Sequence, residues 1–243
     1  GAGQQLFGTT TESAGSFDSS QCIDNHIAGE ISLVPAPAVI DSTTASAIFR
    51  GACLARNGAG GAARAFFGWT AGNYRYTNDI TAAAPVFATA TTGGSGNVLD
   101  ITTDGTNVYF AVTGGGIWYT TVAAPGNLAQ YNTGTVVYHR LVYDPLRKLL
   151  FGIMAPSAGA SLDRINSGGA STVIYDFAQG QLDAIDNYAG NIFVGWNTGS
   201  AFAGNNARSV VYYYNGTNVI EYVDMGNGSQ VVGIKAAFSN IFL

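Results

Sequence analysis

The chain has 243 residues, of which 47% are hydrophobic and only 10% charged, with a net charge of -5. Ordinary globular domains carry roughly 25% charged residues, so this surface has to be built from Gly, Thr, Ser, Asn, Ala and Tyr. Ten scattered Lys and Arg exclude electrostatic capture of nucleic acid or of an anionic membrane, and no apolar run reaches the roughly 18 residues that span a bilayer as a helix.

In chain order, residues 1–42 offer two candidate strands, "QQLFGTT" and "GEISLVPA". Between them lies a stretch starting "GTTTESAGSFDSSQCIDNH", long for a turn; loops beyond about 12 residues are often functional. It holds Cys22. The second cysteine, Cys53, sits in the apolar run "AIFRGACLA". Two cysteines make neither a disulfide framework nor a metal pattern. Cys53 reads as a buried thiol, and a Cys22–Cys53 bridge stays open as an alternative.

From residue 43 onward, β-branched and aromatic runs alternate with Gly, Asn, Asp and Ser, and helical periodicity is nearly absent. "GACLARNGAGGAARAFFGW" comes first. Then follow "NVLDITTD", "NVYFAVT" and "GIWYTTV", then "TVVYHRLVYD", "KLLFGIMA" and "STVIYDF". "NIFVGW", "SVVYYYNG" and "NVIEYV" come next, and the chain ends on "QVVGIKAAF" and "NIFL". Each run has strand length. An apolar strand, a polar turn and a Phe-bearing strand recur, with Phe67, Phe110, Phe151, Phe193 and Phe242 spaced 43, 41, 42 and 49 residues apart. A unit of four antiparallel strands has a period of roughly 40 to 50 residues in propeller folds, and the recurring Phe marks an expected packing register.

The pattern "LDITTDGTNVYFAVTGGGIWYTT" resembles a β-propeller blade: inner strand, Asp-Gly turn, second strand, Gly turn, third strand. The expected fold is all-β, a propeller of four-stranded blades in one domain spanning 1–243. The expected blades are 43–93, 94–134, 135–178 and 179–225. A fifth would be made from 226–243 with strands of 1–42, hiding two sheet edges. Residues 1–42 as an arm docked elsewhere, and a β-sandwich, are the alternatives. No WD40 Gly-His or Trp-Asp pair, sialidase Asp-box or regular kelch double glycine occurs. The composition of phrases such as "TTDGTNVYFAVTGGG" also resembles structural proteins of tailed bacteriophages.

Catalytic candidates are few. Asp100 and Asp183 follow Leu on expected inner strands, in "LDI" and "LDA", where they line the axis together with His139. A glycosidase needs two carboxylates about 5 to 9.5 Å apart, and this pair is the one the pattern offers. Asp104, Asp144 and Asp186 open turns, where Asp caps backbone N–H groups. His26 and His139 are the only histidines, so no metal cluster is expected, and no cofactor motif occurs. Trp69, Trp118, Tyr212 and Tyr214 are the candidate binding aromatics, with Tyr213 expected to point opposite to its two neighbours and Trp196 and Phe193 expected between blades. The resulting expectation is a non-enzymatic structural or binding propeller, virion-borne or extracellular, whose partners are itself or other assembly proteins. A glycan-binding propeller is the alternative, and a glycosidase using Asp100 and Asp183 comes after it.

Overall fold

The computed structural model describes residues 23–24, 32–33, 50–56, 58, 61–94, 96–114, 116–154, 160–177, 180–198, 208–227, 229–237 and 240–242. The chain divides into two units, 1–45 and 46–243. In the first unit, β1 (Ile23–Asp24) pairs antiparallel with β2 (Ser32–Leu33) in a two-stranded sheet of its own. The strand expected in "QQLFGTT", and with it Cys22 and His26, lies outside the described residues.

The second unit is all-β, with no helix among its described residues. Sheet 1 holds β3 (Arg50–Arg56), β4 (Ala63–Gly68), β5 (Asn73–Thr77) and β6 (Phe87–Thr91). Sheet 2 holds β7 (Val98–Thr103), β8 (Asn107–Val112), β9 (Ile117–Thr121) and β10 (Leu128–Asn132). In sheet 3 are β11 (Arg140–Asp144), β12 (Leu149–Met154), β13 (Ser161–Ile165) and β14 (Thr172–Asp176). In sheet 4 are β15 (Gln181–Tyr188), β16 (Asn191–Asn197), β17 (Arg208–Tyr214) and β18 (Val219–Asn227). A final pair, β19 (Lys235–Ala237) and β20 (Asn240–Phe242), ends the unit. Each four-stranded sheet is an antiparallel meander in sequence order, and each of the four expected blades holds one sheet, with β18 running two residues past the expected end at 225.

The first strands β3, β7, β11, β15 and β19 neighbour one another in chain order, so the arrangement is propeller-like. Successive sheets face each other across four apolar layers, because alternate side chains of each strand point to opposite faces. Phe66 and Tyr74 of sheet 1 meet Val98, Val108, Phe110 and Val112 of sheet 2. Tyr109, Ala111 and Ile117 of sheet 2 meet Tyr138, Leu141, Leu150 and Ile165 of sheet 3. Phe151, Ile153 and Leu162 of sheet 3 meet Leu182, Ile192 and Val194 of sheet 4. Ala184, Phe193 and Val211 of sheet 4 then meet Val231, with Ile234 and Ile241 against them.

The expected common Phe register does not hold. Phe110 faces the preceding sheet, whereas Phe151 and Phe193 face the following one. Phe110 is the fourth residue of its strand and the other two are the third. A one-residue offset turns a strand side chain to the other face. In sheet 1 the phenylalanine that is fully buried is Phe66, and Phe67 packs at 6.3 Å from Phe87. The side chain of Phe242 lies outside the described residues.

The turns follow their sequence signals. The Asp104 carboxylate accepts the N–H groups of Thr106 and Asn107 at 2.8 and 2.6 Å, and Gly105 supplies a φ of +87° between them. Asn215 does the same for Thr217 and Asn218, both at 2.9 Å. At the β15–β16 hairpin the two turn residues, Ala189 and Gly190, both have positive φ, 49° and 79°, the twist that two-residue hairpins demand. Polar ties run between sheets as well. Arg147 of sheet 3 donates to Asp144 at 2.7 Å and reaches the carbonyls of Gly190 and, at 2.6 Å, Asn215 in sheet 4. Its guanidinium also lies over the Tyr214 ring, 5.8 Å from the centroid.

Candidate functional site

Two regions carry chemistry: the line of first strands, and a cleft between sheets 2 and 3.

Along the first strands the structure brings together Cys53 of β3, Asp100 of β7, His139 and Arg140 at the start of β11, and Asp183 of β15. Asp100 extends across to the next sheet, where its Oδ2 accepts the backbone N–H of Leu141 at 2.7 Å. Burial pushes its carboxyl up to about 6, against the N–H groups of Leu141 and Ile101 and the Arg140 charge, which all favour the anion. Burial, then the charge of Asp100, pushes the Cys53 thiol up to about 12, which favours its protonated form. Cys53 is a free thiol. Burial and Arg140 hold the His139 imidazole below its ordinary range, while Asp183 opposes them. Its backbone N–H donates to Ile153 O at 3.1 Å.

Asp183 is held differently. Its Oδ2 accepts from Asn197 Nδ2 at 2.8 Å and Gln230 Nε2 at 3.5 Å. Nor are the two aspartates in matching register, as the sequence reading has them. Asp183 is the bulged residue between Leu182 and Ala184, whereas in β7 the bulge falls at Leu99 and Asp100 pairs with Ala111. Asn197, which the sequence reading passed over, is the hub here. It is 2% exposed. Its Nδ2 donates to Asp183 and, at 3.0 Å, to Val231 O; its Oδ1 accepts from Ser209 Oγ at 2.7 Å and Val231 N at 2.9 Å. Asp104 and Asp144 act in turns as expected, while Asp186 pairs with Phe193 within the β15–β16 ladder. Among the described residues no group of His, Cys, Asp and Glu is placed to hold a metal ion.

Three of the four candidate binding aromatics pack between elements. Trp118 lies against the layer joining sheets 1 and 2, so close to Gly93 that a Cβ there would come within 2.9 Å of the ring. Tyr212 meets Phe177 edge-on at 5.3 Å and Trp196 at 5.9 Å. Tyr214 lies 6.0 Å from Phe151 and donates its hydroxyl to Gly216 O at 2.7 Å. Tyr213 points to the opposite face, towards Phe193, and Trp196 and Phe193 pack between sheets, both as expected; the two lie on opposite faces of sheet 4. Trp69 is half-buried in the β4–β5 turn, where its backbone N–H donates to Asn73 O at 2.9 Å.

The cleft is formed by residues the sequence reading did not single out. About 450 Å³ in volume, it is lined by Asn107, Tyr109, Tyr119, Gln130 and Tyr131 of sheet 2 and by Ser167 and Gly168 of the β13–β14 turn. Tyr109 and Tyr119 are cross-strand partners with ring centroids 6.3 Å apart. Tyr131 meets them edge-on at 5.0 and 5.9 Å. Behind them Asp104 Oδ2 accepts the Tyr109 hydroxyl at 2.8 Å and the Asn107 amide at 2.9 Å. Burial opposes ionisation of Asp104, but these donors and the two turn N–H groups hold its carboxyl below the usual range. Burial, then the Asp104 charge, raises the Tyr131 hydroxyl. The signal available in the sequence was period-2 spacing: Asn107 and Tyr109 on one face, Tyr119 opposite, Tyr131 diagonal to it.

No protein-family model matches the sequence, and no curated protein matches it. Among solved structures, a functionally unknown protein from Desulfotomaculum acetoxidans DSM 771 is similar, with a TM-score of 0.51 and 10% identity over 78% of this chain and 59% of that one. Hydrazine synthase from Kuenenia stuttgartiensis matches with a TM-score of 0.49 and 16% identity over 64% of this chain and 50% of that one. The chain thus spans between half and three fifths of these two chains. The likeness to the Desulfotomaculum protein is one of fold.

Proposed function

We propose that the chain is a non-enzymatic assembly protein of a virion or extracellular structure, and that its first partner is another copy of itself. The observation that carries this reading is the outer edge of sheets 3 and 4. Val173 and Tyr175 of β14 are 57% and 43% exposed, and Ile220, Tyr222 and Met225 of β18 are 38%, 52% and 40% exposed. Both are terminal strands of their sheets, so backbone N–H and C=O groups line the same edge. Charges normally protect such edges. Here Asp224 and Glu221 of β18 are paired with Arg208 at 2.8 and 3.4 Å, which blunts that protection. An edge of this kind pairs with its own copy about a two-fold axis.

The state of the axis carboxylates agrees. Asp100 and Asp183 are each engaged by fixed donors of the scaffold, which is a structural use of both groups. We further propose that the four sheets and the β19–β20 pair belong to a five-bladed ring.

The test is sedimentation of the purified chain across a hundredfold range of concentration, with Tyr222→Lys alongside. Self-association of the native chain that the lysine variant lacks supports the reading. A native chain that stays monomeric throughout refutes it.

A further inference from the structure

We propose that the cleft between sheets 2 and 3 binds a neutral saccharide, with Tyr119 and Tyr131 as ring platforms and Gln130 and Ser167 as partners for its hydroxyls. This site uses no residue of β14 or β18 and stands whether or not those strands assemble.

The wall chemistry selects the ligand class. Its side chains are three phenols, two primary amides and a hydroxyl, with no Lys or Arg among them. An anionic ligand would meet no counter-charge there, and the Asp104 carboxylate behind Tyr109 adds a repulsive field. A purely apolar ligand would strip water from amides and hydroxyls without replacing their hydrogen bonds. A ring bearing hydroxyls on its edge and polarised C–H groups on its faces fits both features, because aromatic faces carry negative charge. A cationic ammonium would also favour tyrosine faces. However, the Asp104 carboxylate that would pair with it is already filled by Thr106, Asn107 and Tyr109 and does not line the cleft. The volume of about 450 Å³ lies in the range of small-ligand sites, roughly 300–1,000 Å³.

The cleft is also built in advance of any ligand. Asn132 at the end of β10 is 1% exposed, and its Nδ2 donates across to Asn166 O at 2.7 Å and to Gly169 O. The Gly168 N–H donates back to Tyr131 O at 2.7 Å, and the Thr133 hydroxyl donates to Gly168 O at 2.6 Å. These bonds fix the β13–β14 turn as the far wall. On the near wall the Tyr109 hydroxyl donates to Asp104 at 2.8 Å and accepts from Asn107 Nδ2 at 3.4 Å, which fixes its orientation. A wall whose donors and acceptors are already oriented spends less free energy on ordering when a ligand arrives.

The experiment is saturation-transfer NMR and titration of the whole chain with maltotriose, cellotriose and triacetylchitotriose at up to about 10 mM, the range of weak single-site binding. Choline and sialyllactose are the cationic and anionic controls. The expected result is transfer from the protein to at least one neutral trisaccharide. Tyr131→Ala and Gln130→Ala should each weaken that binding by about tenfold, and Tyr131→Phe, which keeps the ring, should retain it. Gln130 is exposed, so its variant keeps the fold if Tyr131→Ala does not. Three results would overturn the proposal: no transfer for any neutral trisaccharide, binding unchanged in Gln130→Ala and Tyr131→Ala, or binding of choline or sialyllactose alone.

Discussion

Replacing Asp100 by Asn tests the electrostatics of the strand line. In the folded chain burial pushes the Asp100 carboxyl up to about 6, against 3.8 when unburied. A carboxyl raised on folding contributes its stability fully below pH 3.8 and loses it as pH climbs towards 6, because the unfolded state ionises first. The gap corresponds to about 3 kcal/mol, reduced towards about 1 kcal/mol by the solvent that reaches this partly exposed side chain. Asn keeps an oxygen to accept the Leu141 N–H and never ionises. Asp100→Asn should therefore match the native chain near pH 4 and exceed it by about 1–3 kcal/mol at pH 8. For a chain of this size that raises Tm by roughly 2–12 °C. Urea or thermal unfolding followed by circular dichroism at pH 4, 5, 6, 7 and 8 measures it. A variant less stable than the native chain at pH 8, or a difference that does not vary with pH, refutes the reasoning.

Other substitutions probe packing and the polar hub. Phe151→Ala empties the layer between sheets 3 and 4, where Phe151 is fully buried, and should cost about 3–5 kcal/mol in denaturant unfolding. Asn197→Ala leaves the Val231 N–H and C=O and the Ser209 hydroxyl with a lost partner. It should cost about 1–3 kcal/mol and speed amide exchange at 229–231 before the sheets themselves. Gly195→Ala places a Cβ 2.5 Å from a Val231 methyl, so it should destabilise by about 1–3 kcal/mol through overpacking. Val231→Ala should partly rescue it.

The sheets were legible because their punctuation is local. Asp104-Gly105 and Asn215-Gly216 cap their own turns, and the strands between such turns alternate cleanly, so the four four-stranded units fall where the sequence places them. Facing was less legible. A single residue separates Phe110 from the register of Phe151, and bulges at Leu99 and Asp183 shift the "LDI" and "LDA" segments by one position. Nothing in a lone sequence marks where a bulge will fall. The tyrosine cleft was least legible. Each Tyr reads as a strand former by itself, and the far wall comes from Ser167 and Gly168, brought in by contacts between Asn132 and residues 34 to 37 positions away. Tyr212 and Tyr214 looked like free aromatics in sequence, yet alternation on β17 turns them into the layer shared with sheet 3.

Amide hydrogen exchange at low and high protein concentration tests the assembly claim most directly. The account predicts slowed exchange on concentration within Thr172–Asp176 of β14 and Val219–Met225 of β18, with the outer strand β6 of sheet 1 unchanged. Exchange that is independent of concentration at both outer strands, or slowed equally across all four sheets, would contradict it.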